Sequence, residues 1–218
     1  MPTGRVEPPL SGRTPRSDVR RRVLDAAAAE FTQRGYAEAS LATIARRAGF
    51  TKGAVYSNFE SKQALLADVL LERAAPVIEG ALGRLTARSD GVETLAARAG
   101  AVLAEQVEVA APWHALTGEL ALQAGRDPLA AAAYQRFRTA QRAVLVETLA
   151  MHSAALGLPP GTALDHAALV LLAVLNGLAL EQAADPSALD RPAMAAVLTQ
   201  VLTALIETAG DRPGGERA

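Results

Sequence analysis

The sequence predicts an all-α fold, and three observations support this prediction. Half of the 218 residues are hydrophobic, and much of this share is alanine and leucine, which favour helices. Alternating apolar and polar residues, the pattern of a half-buried strand, are hard to find anywhere in the chain. Glycine and proline separate segments whose apolar residues recur at helical spacing. We therefore expect a series of helices without a sheet.

Composition narrows the classes of function. The chain has no cysteine, which excludes disulfides and thiolate metal sites. Its N-terminal stretch lacks the apolar core of a signal peptide, so we expect a cytoplasmic protein. The longest apolar run, near residues 167–180, is interrupted by Asn176 and Gly177 and is shorter than the roughly 20 residues of a membrane span. We expect a buried helix there and no membrane partner.

Charged and aromatic residues are unevenly distributed along the chain. Residues 1–62 contain 11 Lys and Arg against 6 Asp and Glu, whereas residues 63–218 contain 11 Arg against 17 acidic residues. Both lysines of the chain, Lys52 and Lys62, lie in the first part, together with five of the eight aromatic residues. The basic, aromatic-rich end is therefore the part expected to meet a polyanion.

The first 76 residues predict a flexible arm and four helices. Residues 1–16 contain four prolines and are expected to be a flexible arm. A hydroxyl side chain that can accept N–H groups of the first turn precedes each helix, and the predicted N-caps are Ser17, Ser40, Thr51 and Ser61. Gly35 and Gly49 are predicted C-terminal stops. Pro76 is expected to kink or divide the fourth helix.

Apolar residues at helical spacing mark the inward faces of these helices. They are Val23, Leu24, Ala27, Ala28 and Phe31 in the first helix, Leu41, Ile44, Ala45 and Ala48 in the second, Val55 and Phe59 in the third, and Ala64, Leu65, Val69 and Leu70 in the fourth. Longer helices are predicted near residues 92–109, 112–125, 129–156, 163–184 and 191–208. The expected units are residues 17–62, residues 63–209 and a disordered tail at 210–218.

The second and third helices predict a helix-turn-helix, in which the first helix braces the second against DNA. On a helical wheel Val55 and Phe59 point inward, so Gly53 and Ser57 face outward. A small outward face lets the backbone approach a groove edge, and hydroxyl and amide groups at its rim suit phosphate oxygens. Free N–H groups at the helix starts also suit anions. This segment is therefore the candidate DNA-binding site.

The candidate DNA-contacting residues are small, hydroxyl-bearing, amide or basic. They are Ser40, Thr43, Thr51, Lys52, Gly53, Ala54, Tyr56, Ser57, Asn58 and Lys62. Lys52 is placed to reach a base or a phosphate, and Lys62 to act as a second phosphate clamp. Arg46 and Arg47 are interpreted as a solvated face rather than base contacts. The arginines of the arm are interpreted as part of a disordered tail rather than as minor-groove ligands: Arg5, Arg13 and Arg16.

This segment resembles the TetR (tetracycline-repressor) family. The family's pattern of residue types and gaps is filled here by Ser40, Ile44, Ala45, Ala48, Gly49, Phe50, Thr51, Gly53, Val55, Tyr56, Phe59, Lys62 and Leu65. Phe50 is bulkier than the valine that the family usually has. The resemblance covers residues 17–70, and the later chain is similar only in length, helical character and helix count. It implies an N-terminal three-helix helix-turn-helix DNA-binding domain and a C-terminal helical ligand-binding and dimerisation domain.

The resemblance further implies a transcriptional regulator, most simply a repressor that binds a palindromic operator as a homodimer and is released by a small hydrophobic effector. Dimerisation is expected through the two C-terminal helices. The first of these is apolar on nearly every side, and the second offers a stripe of Val197, Val201, Ala204 and Leu205. The alternative is that the first of them is wholly buried within one protomer.

The middle helices are expected to enclose the effector cavity. The candidate ligand-binding residues are Trp113, His114, Glu119, Gln123, Tyr134, Phe137, Asn176 and Glu181. Asn176 lies among apolar residues and needs a partner, which would be a helix end, its dimer mate or the ligand. Few aromatic residues are available, so an aliphatic or mixed ligand is expected rather than a flat cationic drug. The isolated histidines predict no metal site, and no cofactor is expected.

Two other kinds of function are alternatives to this interpretation. A helix-turn-helix activator or an architectural DNA-binding protein would have no small-molecule effector, and it is distinguished by asking whether any small molecule lowers operator affinity. An enzyme is not expected, because the sequence has no catalytic triad order, paired-carboxylate motif, phosphate loop or zinc motif.

Overall fold

The computed structural model describes residues 15–86, 94–158 and 160–210, and its regular structure within these ranges is entirely α-helical. The all-α prediction is confirmed. The predicted arm and tail lie almost entirely outside the described residues. The helices of the described ranges are α1 (Arg16–Glu38), α2 (Leu41–Ala48), α3 (Lys52–Tyr56), α4 (Lys62–Thr86), α5 (Leu95–Val109), α6 (Ala111–Ala124), α7 (Pro128–His152), α8 (Leu164–Ala184) and α9 (Arg191–Gly210).

Several helix ends in the N-terminal part are set by the predicted residues. Thr51 Oγ1 accepts the N–H of Ala54 at 3.3 Å, and Ser61 Oγ accepts the corresponding N–H of α4 at 3.0 Å. Gly49 ends α2 with a φ of 78°. Gly35 interrupts the helical path inside α1 with φ 70° and ψ 173°, a conformation that is essentially restricted to glycine.

The predicted cap of α1 is wrong, and the predicted cap of α2 is correct in position but makes no side-chain hydrogen bond. Helix α1 begins at Arg16, because the carbonyl oxygen of Pro15 already accepts the first N–H groups, and Ser17 lies inside the first turn. Ser40 occupies the N-cap position of α2, but its side chain makes no capping hydrogen bond. Its backbone N–H instead donates to Oε1 of the buried Glu30 at 3.4 Å.

Helix α4 runs through Pro76 without the predicted division. A proline removes one N–H from the helical ladder, and here its side chain is exposed rather than packed. The N-terminal half of α4 contributes Leu65, Leu66, Val69 and Leu70 to one core, and the C-terminal half contributes Leu82 and Leu85 to another. One continuous helix therefore contributes to both cores.

Three apolar cores hold the helices together. The first contains almost all of the predicted inward-facing residues of α1 to α4, together with residues of α6 and α7, namely Leu116, Leu120, Ala130, Ala133 and Phe137. The second core joins α5, α7, α8 and α9, and the third joins the end of α4 to α5 and to Leu156. The first core therefore crosses the boundary predicted between residues 62 and 63.

Candidate functional site

The outward face of α3 is open to solvent. Val55 and Phe59 are buried in the first core, with exposures of 1% and 4%. Gly53 and Ser57 are exposed, and Tyr56 is 50% exposed. The inward and outward faces thus lie where the helical wheel places them, and the small outward face is accessible to a DNA groove.

Two arginines of α1 hold the aromatic residues on either side of α3. The guanidinium carbon of Arg22 lies 4.9 Å from the ring centroid of Phe50, and that of Arg20 lies 4.9 Å from the ring centroid of Phe59. Arg20 also donates to a carboxylate oxygen of Asp68 on α4 at 3.0 Å. These contacts fix α3 against α1 and α4, and so orient its outward face.

Two candidate DNA contacts are engaged within the protein. Asn58 donates from Nδ2 to a backbone carbonyl of α3 at 2.8 Å and accepts from Arg16 Nε at 3.4 Å. Lys62 Nζ donates to the carbonyl oxygen of Ala37 at 3.2 Å and lies 4.5 Å from the ring centroid of Tyr36. Burial lowers the pKa of Lys62, against the opposing charge of a nearby carboxylate. Neither side chain is the free surface donor that the spacing alone suggested.

The other candidates differ in accessibility. Ser40, Thr51 and Lys52 are exposed, whereas Thr43 and Ala54 are half-buried. The ammonium of Lys52 lies 5.7 Å from the ring centroid of Tyr56, so the two side chains lie together on the outward side of α3.

Sequence reasoning missed a buried glutamate that supports the helix-turn-helix. Glu30 is fully buried, and its carboxylate pairs with Arg34 at 3.5 Å and Arg47 at 3.3 Å besides accepting the N–H of Ser40. Arg47 is therefore a partner of a buried carboxylate, in contrast to the solvated face expected for it. The burial of Glu30 could have been predicted from its position in the sequence. It follows Val23 by seven residues and so lies on the inward face of α1.

The helices beyond α3 line an apolar cavity of about 200 Å³. Four of the predicted ligand-binding residues line it: Trp113, His114, Phe137 and Asn176. Polar lining residues that the sequence reasoning did not single out are Arg73, Gln106, Thr117, Gln141 and Thr162. The sequence contains little indication that these residues line a cavity, since each is a lone polar residue in an otherwise ordinary helical segment or loop.

The other four predicted ligand-binding residues do not line this cavity. Glu119 lies on another side of α6, where its Oε2 accepts the N–H of Tyr36 at 3.0 Å. Tyr134 packs against the first core. Gln123 and Glu181 are exposed. Their placement corrects the expectation, and the reason is that helical spacing turns these side chains away from the cavity.

The predicted need of Asn176 for a partner is met by His114. The distance between His114 Nδ1 and Asn176 Oδ1 is 3.1 Å. Burial lowers the pKa of His114, and the hydrogen bond to Asn176 opposes this effect. The imidazole is therefore largely neutral at pH 7, and the pair forms an uncharged polar group in an apolar wall.

Comparison with known proteins assigns the N-terminal segment to a protein family. Residues 23–69 match the family described as bacterial regulatory proteins, tetR family. The N-terminal segment of this chain belongs to the tetR family. The transcriptional regulator SrpR of Pseudomonas putida is 43% identical to it over 60 residues. That alignment covers 28% of this chain and 28% of SrpR, so it spans far less than the whole length of that relative.

Solved structures extend the similarity to the whole fold. Salmonella enterica GusR has a TM-score of 0.57 at 22% identity, with 94% of this chain and all of GusR covered. FadR from Bacillus subtilis, solved in complex with stearoyl-CoA, has a TM-score of 0.53 at 18% identity and covers 88% of this chain and 99% of FadR. The tetR-family segment is thus followed by a helical domain of known architecture.

Helices α8 and α9 leave an apolar face uncovered. On α8, Leu169 and Leu180 are 48% and 55% exposed, and Ala173 and Gly177 between them are exposed too. On α9, Val197 and Ala204 are exposed, whereas Leu205 lines the cavity. The predicted stripe of α9 is therefore divided between the protein surface and the cavity.

Helix α8 is also long and apolar enough to cross a membrane by length and composition, within the described residues. Only 28% of its most apolar stretch is buried. Full burial within one protomer, the alternative considered for this helix, therefore does not describe it.

Proposed function

We propose that this chain is a ligand-responsive DNA-binding transcriptional regulator, a repressor that binds a palindromic operator as a homodimer. The observation that carries the proposal is the open outward face of α3 within a tetR-family segment. Gly53 and Ser57 leave room for the helix backbone to approach a groove edge. Lys52 and Tyr56 supply donors for phosphate oxygens at its rim.

A second copy of the chain is the proposed occupant of the exposed face of α8 and α9. One DNA-binding segment contacts few base pairs, and two such segments related by a two-fold axis add their contacts on a palindrome. Burial of Leu169 and Leu180 against a partner would contribute the hydrophobic stabilisation that an exposed apolar face lacks. A partner chain accounts for this face in a cytoplasmic DNA-binding protein, without a membrane.

The cavity is the proposed effector site, and α4 is the element through which it acts. Helix α4 lines the cavity with residues from Leu70 to Leu85 and packs its first turns into the core of the DNA-binding segment. Occupation of the cavity would release the operator only if the effector binds the released conformation more tightly. FadR, which shares this fold, was solved in complex with stearoyl-CoA, and this supports the proposal that a protein of this fold takes a ligand.

The test begins with selection of an operator from a random duplex pool by the full-length protein. Fluorescence anisotropy then measures operator affinity with and without a panel of aliphatic alcohols, esters, acids and amines. We expect at least one compound to lower operator affinity by roughly 5- to 150-fold. An operator that is bound but never released would favour the alternative, an activator or architectural protein without an effector. Substrate turnover by the purified chain would instead indicate an enzyme.

A cavity-filling variant and a matched surface variant test whether the effector binds in the cavity. Ala99 lines the cavity on α5, and Ala101 is exposed on the same helix. We expect Ala99→Phe to bind the operator but to lose its response to the effector, because the added ring occupies the ligand's space. Ala101→Phe should respond as the original protein does.

A further inference from the structure

The cavity has two chemically different ends. Trp113 and Phe137 line the end beside the first core. Arg73 and His114 line the cavity close to Trp113. The opposite end is lined by the aliphatic residues of the third core, Leu82, Leu85, Leu95, Leu156 and Leu158. The α4 residues that line the cavity, 70–85, extend over about 22 Å at the rise of an α-helix. A matching ligand is therefore elongated, with its charged group at the Arg73 end.

Arg73 has unused hydrogen-bonding capacity at the polar end. Its Nε atom is buried and has no hydrogen-bond partner. Its guanidinium carbon lies 5.8 Å from the ring centroid of Trp113. Its Nη2 atom is 3.5 Å from Asp25 Oδ1, and the Asp25 side chain is 62% exposed, so this ion pair is weak. A buried N–H without an acceptor is costly, and a ligand oxygen would satisfy it.

The charge of the lining favours an anion. Arg73 is the one formally charged residue among the described residues that line the cavity, and none of them is Asp or Glu. His114 is paired with the neutral amide of Asn176. The Arg73 side chain is 41% exposed, and its partner Asp25 lies outside the lining. A cationic ligand would therefore meet the like charge of Arg73 with no carboxylate in the lining to offset it, whereas an anion would be attracted to that charge.

We propose that the effector is an aliphatic carboxylate, with its acid group on Arg73 and its chain directed along α4 toward Leu82 and Leu85. A carboxylate fits because its two oxygens match the planar fork of a guanidinium. This inference rests on the proposed function only in taking the cavity as the effector site.

The acid group would compete with Asp25 for Arg73. Asp25 belongs to α1 of the DNA-binding segment, and Arg73 belongs to α4, which lines the cavity. Transfer of Arg73 from Asp25 to the ligand removes one link between α1 and α4. This is a contact that differs between the free and the liganded protein, as release of DNA requires.

Three probes with the same chain length test the ligand class in the unaltered protein. Trp113 is the single tryptophan of the chain and lines the cavity, so its fluorescence reports binding directly. The full-length protein is titrated with monomeric decanoate, decanol and decylammonium. We expect decanoate to bind roughly tenfold or more tightly than decanol, because of the charged hydrogen bonds to Arg73, and decylammonium to bind most weakly. Equal or tighter binding of decanol, or no binding of decanoate, overturns the proposal.

Arg73→Gln tests the assigned residue. We expect it to reduce decanoate affinity to about that of decanol, while decanol affinity stays unchanged. Arg84→Gln is the matched control, because Arg84 lies on the same helix, pairs with Glu105 and does not line the cavity. Thermal denaturation checks that both variants fold. A decanoate preference that survives in folded Arg73→Gln contradicts the assignment.

Operator binding separates failure of this inference from failure of the proposed function. If decanoate binds with the expected preference but does not release the operator, the ligand class stands and release by an effector fails. If an uncharged compound releases the operator and decanoate does not bind, the regulator stands and the carboxylate proposal is wrong.

Discussion

Lys62 combines a contact within the protein with a proposed contact to DNA. Its ammonium donates to the carbonyl oxygen of Ala37 and lies over the ring of Tyr36. Both contacts lie near the end of α1, beside the helix-turn-helix. A lysine can donate up to three hydrogen bonds, so the contact to Ala37 leaves donors that can meet a phosphate.

We predict that Lys62→Ala affects both stability and DNA binding. Loss of the hydrogen bond and of the ring contact should lower the free energy of unfolding by about 1 kcal/mol. Loss of one phosphate contact should weaken binding to all duplexes and reduce the salt slope of the affinity by about 1. Denaturant unfolding and anisotropy at several salt concentrations measure the two effects.

Lys52→Ala is the comparison, because Lys52 is exposed on α3. It should reduce the salt slope with little change in unfolding. If Lys62→Ala destabilises the protein and leaves the salt slope unchanged, Lys62 has only the internal role.

Individual residues were predictable where periodicity decides their surroundings. Val55 and Phe59 are buried because a short helix has one inward face, and its spacing fixes which residues form it. The internal partners of Asn58 and Lys62 were not predictable, because Arg16 and Ala37 come from α1, 42 and 25 residues away in the chain. Such partners depend on how the helices pack, which no local pattern contains.

Among the helices, α1 contacts α6 at the kink formed by Gly35. Its backbone conformation excludes most side chains, and a Cβ atom there would lie 3.3 Å from Glu119 Oε1. The other oxygen of Glu119 accepts the N–H of Tyr36. A kink and a carboxylate thus connect the DNA-binding segment to a helix that lines the cavity.

We predict that Gly35→Ala lowers the free energy of unfolding by about 1–3 kcal/mol, because alanine is strained at this φ and ψ. Gly80→Ala is the control, since Gly80 lies in α4 with open space around it. That variant should be more stable by up to about 1 kcal/mol from helix propensity. Urea denaturation compares them. Equal effects of the two substitutions would show that Gly35 carries no special strain.

The elements themselves were largely predictable, and their ends less so. Thr51 and Ser61 cap as predicted because a hydroxyl before a helix can reach its first turn without help from other helices. Ser40 occupies the cap position without a capping hydrogen bond from its side chain, while its backbone N–H donates to the buried Glu30. The course of α4 through Pro76 depends on packing at both ends of the helix, which overrides local preference.

At the scale of the whole molecule, one core unites parts that the sequence pattern separates. Leu116 and Phe137 pack in the same core as Ile44 and Val55. Charge and aromatic content change near residue 62, but the first core continues across this position. Composition indicates which part meets a partner, whereas it carries no information on which helices share a core.

We predict that the protein is a dimer and that Leu169→Glu makes it a monomer. A glutamate in the proposed interface would be buried without a partner, which is strongly unfavourable. Leu129→Glu is the control, because Leu129 is exposed at the start of α7 and outside this face. Sedimentation velocity measures the mass. A Leu169→Glu protein that is still dimeric would place the interface elsewhere.

Operator binding by Gly53→Glu is the sharpest test of whether the outward face of α3 enters a DNA groove. A Cβ atom at Gly53 has its nearest neighbour at 3.8 Å, so the free protein accommodates a side chain there. Gly80→Glu makes the same change of charge on α4. We predict that Gly53→Glu folds normally and loses roughly 100-fold or more in operator affinity by anisotropy, from lost groove contacts and repulsion by phosphates, while Gly80→Glu binds as the original protein does. Unchanged operator affinity of a folded Gly53→Glu protein would show that this face of α3 does not enter the groove.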